Sequence, residues 1–97
     1  MEKRIGAALI LIENKEFIPK LNQIISEHSD IIIGRQGLPI RNKDVSIISL
    51  VLEGNTDQIG SLTGKIGRLN GVEVKSVLLK NKYGIEQENE KNINYTL

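Results

Sequence analysis

The amino-acid sequence predicts an α+β domain in which two amphipathic helices cover one face of a four-stranded antiparallel sheet. The observations behind this prediction are four short segments rich in Ile, Leu and Val, two stretches with apolar residues at helical spacing, and the order of these segments. That order is strand, helix, strand, strand, helix, strand, the split arrangement of a ferredoxin-like βαββαβ sandwich. Right-handed crossovers then place both helices on the same face of the sheet.

The first half of the chain is predicted to contain two strands and one helix. Arg4 to Glu13 is apolar on both alternating faces, which is typical of a buried strand. Asn14 follows as a candidate N-cap for a helix that extends to about Ser29. We expect a short second strand over Ile31 to Arg35, ended by a turn or bulge in the segment Gly34–Pro39, which contains two glycines and a proline.

The second half repeats this pattern. Val45 to Glu53 is predicted to be the third strand, after a polar loop over residues 41–44. Asn55 and Gln58 have the spacing of a capping box. The second helix is indicated by apolar residues at intervals of three and four, which are Ile59, Leu62, Ile66 and Leu69. Asn70-Gly71 is a typical helix end, and Val72 to Leu79 is predicted to be the fourth strand.

Length and composition allow one domain and exclude several classes of function. Residues 1–80 are predicted to form the domain, and residues 81–97 a polar C-terminal tail. A net charge of +1 provides no general attraction for nucleic acid or an anionic membrane. The chain contains no cysteine, which fits a cytoplasmic protein, and its longest apolar run is too short to cross a bilayer.

The predicted central strands are apolar on both faces, although the two helices can cover only one. In the first strand Leu9 and Leu11 would point to one face and Ile10 and Ile12 to the other; the third strand follows the same pattern. A large bare apolar patch is rare in soluble monomers. We therefore expect the chain to associate with copies of itself, as a dimer or tetramer, although the tail could cover part of the patch instead.

Two groups of residues are candidates for ligand binding. Gly34, Gly37 and Leu38 surround Arg35, which could hold a carboxylate or phosphate while the glycines let backbone N–H groups approach it. Lys65 and Arg68 flank the second group, a stripe of glycines at positions 60, 64 and 67 of the second helix. For the first group, the alternative interpretation is a bulged hairpin arm whose arginine is solvated or makes a subunit contact. For the second group, it is a tolerated weak helix with a solvated basic edge.

We find no candidate catalytic residues and no metal site within one chain. The serines lack a neighbouring base, and no pair of carboxylates has a spacing that indicates acid–base chemistry. His28 is the only histidine. Symmetric copies could bring several histidines together with Asp30 or Glu27, but a helix-end histidine favoured by the helix dipole is the simpler interpretation. The chain is therefore expected not to be an enzyme.

Three stretches are distinctive in combination. They are Gly34-Arg35-x-Gly37-Leu38-Pro39, then Val45-Ser46-Ile47-Ile48-Ser49, then Leu62 to Lys75 with its Gly64, Gly67 and Gly71. Together they resemble a known family, that of the regulators of the iron-only hydrogenase system. The resemblance implies an ACT-like fold similar to the C-terminal domain of the nickel-responsive repressor. It also implies a stand-alone, multimeric regulatory domain. Unlike that repressor, this sequence contains no cysteine and no ribbon-helix-helix segment, and many ACT domains that bind amino acids have a glycine after the first strand that is absent here.

The sequence leads to two main hypotheses. The first is a regulatory, transcription-related module that binds a small ligand or a regulatory protein at the residues around Arg35, with Lys65 and Arg68 as further candidates. The second is a structural assembly or accessory protein with no small ligand. A minor enzyme acting on a phosphorylated metabolite is a third. Direct nucleic acid binding is not expected, because the predicted strands contain no aromatic residues on which bases could stack. The cofactor, if any, is unknown.

Overall fold

The computed structural model describes residues 2–80, and the predicted tail over 81–97 lies outside the described residues. Four strands and two α-helices alternate in the predicted order: β1 (Arg4–Ile12), α1 (Ile18–Glu27), β2 (Ile32–Ile40), β3 (Val45–Gly54), α2 (Thr56–Gly67) and β4 (Val72–Leu78). The strands form one antiparallel sheet in the order β2-β3-β1-β4. The predicted ferredoxin-like α+β fold is confirmed.

The core lies between the two helices and one face of the sheet. The sheet contributes alternate residues of its two central strands, and the helices contribute their apolar stripes. Its buried members on the sheet are Ala8, Ile10, Ile12, Ile48, Leu50 and Leu52, and those on the helices are Leu21, Ile24, Ile25, Ile59, Leu62 and Ile66. Because strand side chains alternate between faces, the intervening residues of β1 and β3 point away from the helices.

The predicted helix signals are present in the structure. Asn55 accepts a hydrogen bond from the Gln58 backbone N–H at 2.8 Å, and the Gln58 side chain accepts one from the Asn55 backbone at 2.9 Å, which completes the capping box of α2. After α2, Gly71 adopts a positive φ of 73°. Its carbonyl oxygen accepts hydrogen bonds from the backbone N–H groups of Glu13 and Asn14, and so links the end of β1 to the start of β4.

The first helix is shorter than the sequence predicted. Asn14 caps a 3₁₀ turn over Lys15–Phe17 by accepting from the Glu16 backbone N–H at 3.0 Å, and α1 begins only at Ile18. Pro19 lies in the first turn of α1, where its missing N–H costs no hydrogen bond within the helix. A second 3₁₀ turn follows α1.

The prediction that the second strand ends in the Gly34–Pro39 segment was wrong. β2 extends through that segment to Ile40, and its bulge lies earlier, at the step from Ile32 to Gly34. The physical reason is that β2 is an edge strand, where one row of backbone groups has no neighbour, so Pro39 is tolerated.

Within residues 2–80, no helix is long and apolar enough to cross a membrane.

Candidate functional site

The register of β2 separates the candidate site residues between the two faces of the sheet. Arg35 and Gly37 lie opposite Leu50 and Ile48, on the face that the helices cover. Gly34 and Leu38 lie opposite Val51 and Ile47, whose side chains point to the other face. The Gly34–Leu38 segment of β2 therefore has Arg35 and Gly37 on one face of the sheet and Gly34 and Leu38 on the other.

Arg35 extends from β2 to α1. Its Nη2 donates a hydrogen bond to Oδ1 of Asn22 at 3.2 Å. Within residues 2–80, no acidic side chain forms an ion pair with Arg35. A guanidinium has five N–H donors, and only Nη2 of Arg35 has a side-chain acceptor within the described part of the chain.

A cleft of about 250 Å³ lies beside Arg35, between the first turns of α1 and the part of the β2–β3 hairpin nearest its turn. Its apolar walls include Ile12, Ile18 and Ile48. Its polar side chains are Arg35, Asn22 and Ser46, while Gly37, Leu38, Pro39 and Ile47 complete the lining. Gly37 leaves its side of the cleft open, since a Cβ there would meet only Ile48 Cγ1, at 3.9 Å.

The chemistry of this cleft suits a small anion with an apolar portion. Arginine binds carboxylates and phosphates through two parallel hydrogen bonds. The amide of Asn22 and the hydroxyl of Ser46 offer further donors, and the isoleucines provide an apolar wall. Because the Arg35 side chain is exposed, an anion can reach it without unfolding any element.

A second, shallower hollow of about 230 Å³ lies on the opposite face, over Gly34. It is lined by Gly34, Gln36, Ser49 and Val51, with Arg35 at its edge. The hollow exists because Gly34 has no side chain, and a Cβ added there would meet nothing within 4 Å.

The sheet face turned away from the helices is rich in apolar residues on β1 and β3, as the sequence predicted. We call it the open sheet face. Its apolar residues are Ile5, Ala7, Leu9 and Leu11 of β1, Val45, Ile47 and Val51 of β3, Leu38 and Ile40 of β2, and Val77 of β4. Its polar residues are Gln36, Ser49, Glu53, Glu73 and Lys75. Leu9, Leu38, Val51 and Val77 are 55%, 54%, 45% and 65% exposed in the single chain.

Lys65 and Arg68 lie on the exposed side of α2. That helix packs against β3 and β4, and β4 is at the opposite edge of the sheet from β2. Neither residue lines the cleft or the hollow beside Arg35. The two predicted groups of ligand-binding residues are therefore separate surfaces.

His28 lies at the C-terminal end of α1, as its position in the sequence suggested. Its Nδ1 is 2.8 Å from the carbonyl oxygen of Ile24, so this nitrogen is the donor, and its Nε2 is 3.5 Å from the Ser61 hydroxyl. Glu27, Asp30 and Asp57 line a cavity of about 350 Å³ beside it. Across residues 2–80, no histidines and carboxylates are grouped closely enough to hold a metal ion.

The sequence analysis did not identify Asn22, Ser46 or Ile18 as cleft residues. Asn22 lies one helical turn after Ile18 and belongs to the polar side of α1 by composition. The spacing indicates that Asn22 and Ile18 lie on the same side of the helix. It does not indicate which strand that side of the helix is next to. The three residues meet because the fold brings the first turns of α1 beside the β2–β3 hairpin.

The fold and the cleft define a class: a small ferredoxin-like α+β domain with a cleft at the edge of its sheet as the candidate site. Residues 4–76 match a known family, TM1266-like, described as "Iron-only hydrogenase system regulator, putative". The chain belongs to this family.

Comparison with solved structures agrees with this assignment. The uncharacterized protein TM1266 from Thermotoga maritima is 38% identical, with a TM-score of 0.77, over 81% of this chain and 100% of that one. No curated protein matches the chain significantly.

More distant structures share the fold alone. The C-terminal domain of the MgtC protein from Mycobacterium tuberculosis has a TM-score of 0.62 at 12% identity, over 79% of this chain and 88% of that domain. A formyltetrahydrofolate deformylase from Pseudomonas syringae pv. tomato has a TM-score of 0.55 at 6% identity, over 80% of this chain but 28% of the enzyme.

Proposed function

We propose that this protein is a non-enzymatic regulatory module that binds a small anionic ligand at Arg35 and associates with copies of itself through the open sheet face. The observation that carries the ligand part is the exposed Arg35 guanidinium beside a cleft with isoleucine walls; within residues 2–80 its partner is an amide and not a carboxylate. A carboxylate or phosphate with an apolar portion matches both features. The family description supports a regulatory role.

A transcription-related role would act through a partner protein rather than by direct contact with nucleic acid. The four strands contain no aromatic residue for base stacking, and the net charge of +1 gives little attraction to phosphates. Ligand binding would act by favouring one conformation or assembly over another. The place of action expected for such a module is the cytoplasm.

A thermal-shift screen of amino acids, other small carboxylates, nucleotides and divalent metals tests the ligand part. A ligand at a hundredfold excess over its Kd adds about 2.7 kcal/mol to the free energy of unfolding. That increase raises the Tm of a domain of this size by about 10–20 °C. Arg35→Ala should abolish the shift, while Arg41→Ala, an exposed arginine in the turn before β3, should retain it.

The results also separate this proposal from a scaffolding role, which the exposed apolar face would suit as well. A Tm shift that persists in Arg35→Ala would mean that the ligand binds at another site. The basic side of α2, with Lys65 and Arg68, would then be tested next. The absence of any shift, together with stable self-association, would favour an assembly or accessory protein. Turnover of a phosphorylated compound would contradict the non-enzymatic part.

A further inference from the structure

β4 carries two opposite charges on the open sheet face. Glu73 and Lys75 are exposed, two residues apart, and the register places them beside Leu11 and Leu9 of β1. Neither forms an ion pair within residues 2–80. A positive and a negative charge thus lie in adjacent rows of residues at the border of an exposed apolar surface.

We propose that a second copy of this chain covers the open sheet face, packed sheet against sheet. Residues paired across the strands form rows, and Lys75 lies in the row of Leu9 while Glu73 lies in the row of Leu11. The twofold axis would run perpendicular to the strands, midway between these two rows. This inference rests on the self-association through the open sheet face in the proposed function, and it adds the orientation and the contacts between the copies.

The charges select this axis over its alternatives. An axis between the two rows brings Lys75 of each copy opposite Glu73 of the other, which gives two attractive pairs. An axis through either row would place Lys75 opposite Lys75, or Glu73 opposite Glu73, and such like-charge contacts are strongly unfavourable at an interface. An axis parallel to the strands would place β4 over β2 of the other copy, with Glu73 opposite Leu38.

The apolar residues fit the same axis. It places Leu9 opposite Leu11, and Val51 opposite Val45. On β3 and β2, in the rows of Leu9 and Leu11, it places Ile47 opposite Ser49 and Leu38 opposite Gln36. It also places Ile40 of one copy opposite Gly34 of the other, where the missing side chain leaves the hollow of about 230 Å³. A large side chain facing a glycine hollow is the interdigitation expected of packed sheets.

The area of the face is sufficient for a specific dimer. A four-stranded face nine residues long covers on the order of 500 Å². Two copies would therefore bury on the order of 1,000 Å² in total, which is near the lower limit for a specific interface. At an interface of this size, the two charge pairs can decide the orientation.

A charge-swap cycle tests the inference, with self-association of the full 97-residue chain measured by sedimentation equilibrium. Glu73→Lys and Lys75→Glu should each raise the dimer Kd by about tenfold, because each creates two like-charge contacts. The double variant reverses both members of each pair and should return the Kd to within about twofold of that of the unmodified chain. Lys20→Glu, which makes the same charge change on the exposed side of α1, is the matched control and should have no effect.

Leu9→Asp tests whether the open sheet face is the dimer surface, independently of how the two copies are oriented on it. It should abolish the dimer, since it would bury a carboxylate in the middle of the face. A dimer that survives Leu9→Asp would overturn the proposed surface. A dimer lost in Leu9→Asp but unchanged in both charge variants, or not restored in the double variant, would overturn the axis. A chain that is monomeric at every concentration would overturn self-association itself, while the Arg35 site would still be judged by its own assay.

Discussion

Arg35 of β2 and Asn22 of α1 are joined by a hydrogen bond of 3.2 Å from Nη2 to Oδ1, beside a cleft whose walls are mainly apolar. The amide holds the guanidinium in place without neutralising it. Arg35 therefore keeps its charge available, which is the property that a binding site for an anion requires.

In Asn22→Asp, the new carboxylate should compete with an anionic ligand for Arg35. The aspartate has nearly the same shape but is negatively charged, so it should pair with Arg35 and weaken the binding of an anionic ligand by roughly tenfold or more. Stability should hardly change, because an exposed ion pair contributes little. Isothermal titration with a carboxylate from the thermal-shift screen measures the effect.

Asn22→Ala is the matched control for this experiment. It removes the hydrogen bond but leaves Arg35 charged, so the affinity should stay within a few-fold of that of the unmodified chain. Equal affinities of Asn22→Asp and the unmodified chain would mean that Arg35 does not anchor the anion.

Most of the fold was predictable because its elements are encoded in local patterns. The alternation of Ile10, Ile12 and Ile48 with residues of the opposite face, and the helical spacing of Ile59 and Leu62, each specify an element within a few residues. β2 was the exception. Its glycines and its proline look like a strand end, and only its position at the sheet edge, which is set by the whole topology, allows the strand to continue to Ile40.

The candidate site was predictable only in part. The stretch with Arg35 and its glycines was recognisable in the sequence, but Asn22 of α1 and Ser46 of β3 join it in the cleft only through the tertiary structure. The grouping with Lys65 and Arg68 was left open by the sequence. The sheet order decides it, since α2 packs on β4, at the edge far from β2.

Gly71→Ala should strongly destabilise the domain. Gly71 has a φ of 73°, which residues with a side chain rarely adopt, and a Cβ there would be 2.6 Å from the Asn14 Cβ. The left-handed conformation and the overlap together should lower the free energy of unfolding by about 2 kcal/mol or more. Urea denaturation measures the change. A loss below about 0.5 kcal/mol would show that the link between β1 and β4 can adjust to a side chain.

Asn55→Ala should remove half of the capping box of α2 and lower the free energy of unfolding by about 1 kcal/mol. The Asn55 side chain accepts from the Gln58 backbone at 2.8 Å, and alanine leaves that N–H without its partner. Asn55→Ser is the matched control, because serine can accept the same hydrogen bond, and it should preserve most of the stability. Equal losses in the two variants would assign the effect to something other than the cap.

Gly60→Ala and Gly64→Ala should each stabilise the domain, by about 0.4–1 kcal/mol. Both residues lie on the exposed side of α2, and a Cβ at either position would meet nothing within 4 Å. Alanine lowers the conformational entropy of the unfolded chain and favours the helix. Because these glycines are on the side of the molecule away from the open sheet face, sedimentation of the double variant should give the dimer Kd of the unmodified chain. A weaker dimer combined with higher stability would show instead that copies meet through the glycine stripe of α2, and would count against the sheet-to-sheet interface.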